Sequence, residues 1–345
     1  MWRSIYKILL FFIKNALHSP RCATLFSRCD MNLIYVFVAA FLFSSMEVAI
    51  KLTGGAFHPV QLTLIRFFVA ALILFPMSKR ELKKAHYELN GKDYIHFALS
   101  GFLCIVVSMT FYTLSVSFLD AHVAGILFCS NTFFSMILAH FFTSEKISRR
   151  TFCSVLLSFV GFLILVNPLH FKGSFLGVFI ISISALTFSL YALVGKILYK
   201  EKPFKAPTIT SYSFFFGVAE LLILIGLSHT DLATTFLNSI GLDLFIDIPV
   251  FTGINRDNIL ILLYICIFVT GIGFASHFFA VEKNPVSISS LVFAVKPVLS
   301  PIMAAIFLGD IIYPHEVVGI VMISVASSLI FMEQSVKERR VKAHL

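Results

Sequence analysis

Four charged side chains and one amide sit where water cannot easily follow them. Lys296 lies about ten residues into the run 286–309, which holds no other Asp, Glu, Lys or Arg. Glu47 stands near the far end of the run 32–52, and Arg66 a few residues into 60–77. Glu220 is in the middle of 208–228, and Asn131 in the middle of the uncharged run 121–144. At the centre of a bilayer a charge costs about 2.5–3.5 kcal/mol on insertion scales, so such groups face a bundle interior or a water-filled cavity. A lysine there can hold an anion or pass a proton, a carboxylate can carry a proton or balance the lysine, and an amide can bond a solute or a neighbouring helix.

Pro297 follows Lys296 and Pro301 lies one turn on. Each proline removes an intrahelical donor and so marks a helix break, freeing the carbonyls of Phe293 and Pro297 to face a cavity. Lys296 is therefore read as an anion-binding or proton-linked position, the alternative being a permanent ion pair that holds two helices together. Glu47 is left as gate, proton carrier or counter-ion to Lys296. Its depth matches that of Arg66, with which it can pair, and Lys51 stands four residues on along its own helix. Arg66 is read as structural, close enough to the interface to snorkel. Glu220 is a second candidate for proton coupling, or an interior pair. His122, His140 and His277 fall near span ends, where an interfacial role is expected.

What must position these residues follows from composition. Of 345 residues, 58% are apolar and 13% charged, with a mean hydropathy of +0.93. A soluble domain carries about 25% charged residues and could not cover this much apolar surface, whereas lipid requires no such cover. The formal charge of +9 lies in short runs between apolar segments, which sets topology rather than a nucleic-acid face. The cysteines Cys22, Cys29, Cys104, Cys129, Cys153 and Cys266 form no metal or redox spacing.

Apolar runs long enough to span occur at roughly 32–52, 60–77, 94–119, 121–144, 151–171, 173–195, 208–228, 259–281, 286–309 and 315–333. Counted through the connections in alternation, 22 Lys and Arg fall on one side and 3 on the other, with Arg66 and Lys296 inside spans. The positive-inside rule then puts both termini in the cytoplasm of a multi-pass protein of the plasma membrane. Residues 1–31 form a basic N-terminal extension, read as signal-like, as an interfacial helix, or as preceding a true start at Met31. Residues 335–345 form a basic cytoplasmic tail. The long connection at roughly 228–258 is read as lying on the membrane surface, capping the outer mouth, or inert.

An internal repeat organises the spans. Leu119–Lys146 aligns without gaps to Asn284–Ile311, bringing Phe128 to Phe293, Ser135 to Ser300, Ile137 to Ile302, Ala139 to Ala304 and Glu145 to Asp310. A weaker match joins Phe43-Ser44 and Lys51 to Phe188-Ser189 and Lys196. Two units follow, 32–171 and 172–334. Five spans each is an odd number, so the second enters the membrane from the opposite side. The fold class is all-α integral membrane, ten transmembrane helices as two inverted-topology five-helix repeats, an architecture that recurs in secondary transporters with a site at the midplane. Glu47 maps to Ala192, Arg66 to about Phe214, and Lys296 to Asn131, so the charges mark where one copy diverged.

The segments Glu47-Val48-Ala49-Ile50-Lys51, His58-Pro59 with Leu64-Ile65-Arg66-Phe67, Phe142-Thr143-Ser144-Glu145, and Lys296-Pro297 with Phe307-Leu308-Gly309-Asp310 resemble the drug/metabolite transporter superfamily, specifically its EamA-type ten-helix members. The resemblance covers roughly residues 32–333. It implies alternation between inward- and outward-open states around a central cavity, with substrates drawn from amino acids, nucleotide-linked metabolites, amines and drugs. Asn131-Thr132 departs from the family's usual Asn-Pro break in span 4, and Asp310 from its usual glutamate.

The function expected is secondary transport of a small polar or zwitterionic metabolite, or a drug, with its acidic group near Lys296, coupled to protons or to exchange. With no P-loop, ATP-driven transport within this chain is excluded. An intramembrane enzyme would need a nucleophile or metal signature, and no HExxH or GxSxG occurs. A receptor or scaffold leaves the repeat unexplained. No cofactor or metal is expected. The expected partners are a small-molecule substrate, the lipid bilayer and protons, with no nucleic acid, and the chain suits a monomer or a homodimer. Single cysteines at Lys92 and Lys172 should react with an impermeant thiol reagent from opposite faces of the membrane. Labelling from one face contradicts the inverted order.

Overall fold

The computed structural model describes residues 34–142, 149–167, 174–204, 206–239, 241–283 and 291–343. The N-terminal extension lies outside the described residues. Those described are mostly helical, with long helices joined by short turns except at 229–258, a long connection that carries the short helix Asp231–Ser239. We label them α1 (Ile34–Leu52), α2 (Pro59–Ala85), α3 (Gly91–Phe118), α4 (Ala121–Phe142), α5 (Arg149–Val166), α6 (Phe175–Glu201), α7 (Ala206–Ser228), α8 (Ile259–Ala280), α9 (Leu291–Phe307) and α10 (Pro314–Ala343). Seven of these, α1 to α4 and α6 to α8, are long and apolar enough to cross a membrane. Shorter apolar stretches lie in α5, α9 and α10. α10 stays helical through residues 335–343, which the sequence reads as a tail.

Exposed side chains explain why these helices need lipid. Ile95 is 69% exposed, Phe141 76% and Leu260 76%, outward positions that water would penalise and hydrocarbon does not. Inside the bundle, α2 packs on α7 and α8, α3 on α6 and α7, α4 on α9, and α5 on α10. α3 and α7 cross at Gly101 and Gly217. A Cβ on Gly217 would stand 2.7 Å from the Gly101 carbonyl oxygen, so only glycine permits that approach.

Local sequence sets the helix ends. His58 caps α2, its Nδ1 accepting from the Val60 amide while the Gln61 side chain accepts from the His58 amide, with Pro59 at the first helical position. Burial holds the His58 pKa below the usual histidine value, against the pull of its bond to the Leu244 carbonyl, so Nδ1 stays free to accept. Gln61 donates to the carbonyls of Val250 and Thr252 at 3.0 and 2.7 Å. The long connection is therefore pinned onto the start of α2.

Two helices carry a wider turn at the level of the core. Phe102–Met109 in α3 and Tyr264–Ile272 in α8 are π-helical. In each, a threonine hydroxyl, Thr110 or Thr270, donates to the carbonyl five residues back, Ile105 or Ile265. α4 is interrupted by a turn at Cys129 and Ser130, just before Asn131, without the help of a proline. α9, in contrast, stays helical through Pro297 and Pro301. Each proline still removes one amide donor from that helix.

Candidate functional site

Lys296 on α9 reaches across the bundle to Glu47 on α1, with Nζ 2.8 Å from Oε1 and the two side chains 5% and 0% exposed. Tyr112 on α3 donates its hydroxyl to the same carboxylate oxygen. The ammonium also stands 5.4 Å from the centre of the Tyr112 ring and 5.2 Å from that of Phe128 on α4. Taking each ion out of water costs several kcal/mol, which only mutual attraction and further hydrogen bonds offset. Aromatic faces add a smaller favourable term. Gly125 on α4 makes room for this arrangement: a Cβ there would lie 3.0 Å from Glu47 Oε1 and would collide with the Ser300 hydroxyl. Glu47 Oε2 and the hydroxyls of Ser44 and Ser300 are buried with no hydrogen-bond partner among the described residues.

Lys296 and Tyr112 also line a cavity of about 210 Å³, with Glu47 behind them. Its wall is aromatic, from Phe43, Tyr112, Phe128, Phe188, Tyr191, Phe274 and Phe278, with Lys296, Arg66 and His277 as its basic side chains. Arg66 is 2% exposed. Its Nη2 donates to the Met109 carbonyl at 3.4 Å and the Thr113 hydroxyl at 3.1 Å, and Nη1 lies 3.7 Å from the Met46 sulfur. Among the described residues it forms no ion pair.

The model of the EamA-like transporter family matches residues 31–167 and again 175–332. The chain belongs to this family. It is similar to an uncharacterized transporter of Clostridium kluyveri, 31% identical over 302 residues that cover 85% of this chain and 91% of that one. An uncharacterized transporter of Archaeoglobus fulgidus is 23% identical over 276 residues, 79% of this chain and 88% of that protein. An S-adenosylmethionine uptake transporter of Rickettsia bellii is 26% identical over 157 residues, 44% of this chain and 51% of that protein. One solved crystal structure of a protein superposes with a TM-score of 0.59 at 14% identity, over 90% of this chain and 99% of that one, a likeness of fold alone. The chain is thus a multi-pass membrane protein of a transporter family.

Within this EamA-like transporter, the sequence-nominated residues separate into two groups. Lys296, Glu47 and Arg66 meet at or beside the cavity. Glu47 takes Lys296 rather than Arg66 or Lys51 as its ion-pair partner. Arg66 is buried rather than turned out to the interface, and its guanidinium donates to the Thr113 hydroxyl and the Met109 carbonyl. Asn131 is buried beside α6, where its main-chain carbonyl accepts from the Ser189 hydroxyl at 2.7 Å, and it is not part of the cavity wall. Glu220 is half-buried on α7, also outside that wall.

Two of the histidines near span ends make contacts inside the protein. His277 lines the cavity. His122, 1% exposed, joins the start of α4 to the α9–α10 connection and to the first turn of α10, with Nδ1 2.8 Å from Asp310 and Nε2 3.3 Å from Glu316. Burial raises the pKa of Asp310, but the hydrogen bond and charge of His122 outweigh it and hold that carboxyl below the usual range. At the other end of the bundle, Lys202 pairs with Asp93 at 2.8 Å and the Thr208 hydroxyl donates to Glu81 at 2.6 Å.

Tyr112 was one tyrosine among several in the sequence. Its importance comes from the hydrogen bond to Glu47. Tyr112→Phe keeps the ring over Lys296 and removes only the donor, so it should destabilise the folded protein by about 1.5–3 kcal/mol, the range for a hydrogen bond to a charged group. Tyr264→Phe, which loses a part-buried bond to Ser45, should cost about 0.5–1.5 kcal/mol. Thermal unfolding in detergent compares them, and an equal or smaller loss at Tyr112 contradicts the assignment.

Proposed function

We propose that the chain is a secondary transporter of ten spanning helices, two inverted five-helix units over 32–171 and 172–334, working by alternating access in the plasma membrane with both ends in the cytoplasm. The observation that carries this reading is the buried Lys296–Glu47 pair, which joins the first unit to the second at the edge of a central cavity. Several features support the two-unit order. The family matches twice, α4 packs on α9 and α5 on α10, and each unit holds a π-helical turn closed by a threonine. Contacts between the units at both ends, His122 with Asp310 and Lys202 with Asp93, are suited to serve as alternate closures.

The substrate is a small polar metabolite such as an amino acid or amine, or a drug. Glu47 gives a route to proton coupling. Protonating its carboxyl would remove the charge that holds Lys296 and loosen the contact between α1 and α9. Exchange of one solute for another is the second mode of coupling. S-Adenosylmethionine belongs among the candidates because the Rickettsia bellii relative carries that name, although the match spans about half of each chain. An enzyme, receptor or scaffold would not need such a pair at the junction of two repeated units.

Counterflow in proteoliposomes tests the proposal. Vesicles preloaded with an unlabelled metabolite panel should accumulate the matching labelled solute, and a pH gradient should change the rate if protons are coupled. Lys296→Ala should abolish the exchange while leaving membrane insertion intact. Normal exchange by that variant, or no counterflow by the wild type, contradicts the reading.

A further inference from the structure

The charges of the cavity do not balance. Lys296 is matched by Glu47, but the second buried cation, Arg66, has no carboxylate partner among the described residues. A guanidinium carries five N–H donors in a fixed fork. Three of its hydrogen bonds are accounted for, one of them to sulfur, and Nε is buried without a partner. None of those partners is charged. Desolvating an arginine without a counter-ion costs several kcal/mol, and a bundle tolerates that at a place where an anion arrives.

We propose that Arg66 is the anion-binding group of this cavity, and that the transported solute carries a carboxylate or similar small anionic group on an aromatic or apolar body. This deepens the transporter reading and rests on it only in taking the cavity as the substrate site. Lys296 is already neutralised where it stands, so the acidic group expected beside it goes to Arg66 instead. The body of the solute meets the faces of Phe43, Phe188 and Phe274, which offer stacking and few hydrogen bonds. A volume of about 210 Å³ suits a single ring with a short acidic side chain rather than a dinucleotide-sized molecule. Planar, forked donors favour a carboxylate over a spherical ion.

A charge-matched series separates this from its alternatives. Thermal unfolding of the wild type in detergent is followed with phenylacetate, 3-phenylpropionate and L-phenylalanine, against phenylacetamide and phenethylamine. A further arm exchanges chloride for gluconate. The carboxylates should raise the unfolding temperature and the amide and amine should not. Arg66→Gln should weaken the carboxylate effect about tenfold or more, the size of one lost charge-assisted bond. Arg66→Lys keeps a cation and should retain part of the preference, which guards against a variant that simply misfolds. Stabilisation by the amine or amide equal to that by the acids, no stabilisation by any acid, or a full effect from chloride alone overturns the proposal. Because this measures binding, acid-selective stabilisation without counterflow would sink the transporter reading and leave the anion site standing. Counterflow of amines but not acids would do the reverse.

Discussion

One ammonium and one carboxylate, each almost wholly out of water, constrain the whole bundle. Lys296 and Glu47 come from helices nearly 250 residues apart in the chain, and neither charge is tolerable at its depth without the other. Their meeting fixes α1 against α9. The bond from Tyr112 adds α3, and the missing side chain at Gly125 lets α4 close over the same carboxylate. Four helices are thereby tied to one point, and the cavity is the space their aromatic side chains leave beside it.

Such a pair does more for specificity of packing than for net stability. Well-packed apolar residues in its place would often be equally stable, so its retention suggests that the charges are used. Glu47 Oε2 and the hydroxyls of Ser44 and Ser300 have no protein partner among the described residues, so polar capacity is held in reserve beside the ion pair. The same cavity is faced by Arg66, which has no ion-pair partner among the described residues. A bundle built only for strength would have neutralised it.

Much of the frame could be read from the amino-acid sequence, because lipid imposes simple rules. Apolar run length located the helices, and a charge inside a run pointed to the interior, which is how Lys296, Glu47 and Arg66 were found. Partner choice was less legible. Glu47 shares a depth with Arg66, has Lys51 one turn along its own helix and Lys296 as a further candidate, and only packing shows which cation arrives. Nothing in the run Phe102–Met109 distinguishes its π-helical turn from an ordinary helix, and nothing in the sequence singles out Tyr112 as the partner of Glu47. Asn131 was chosen as the repeat counterpart of Lys296, yet the turn at Cys129 and Ser130 sets it beside α6 rather than on the cavity wall. His122 and His277 both fall near the ends of apolar runs, yet one bonds two carboxylates and the other lines the cavity. Depth along a run does not report which way a ring points.

A double-mutant cycle on the central pair tests the account most directly. Unfolding free energies in detergent are measured for the wild type, Glu47→Gln, Lys296→Met and the double variant. Each single change leaves one buried charge alone and should cost about 3–5 kcal/mol, while the double should cost much less than the sum of the two. Additive losses would mean that the two groups do not hold each other, and the account of the bundle and its cavity would fail.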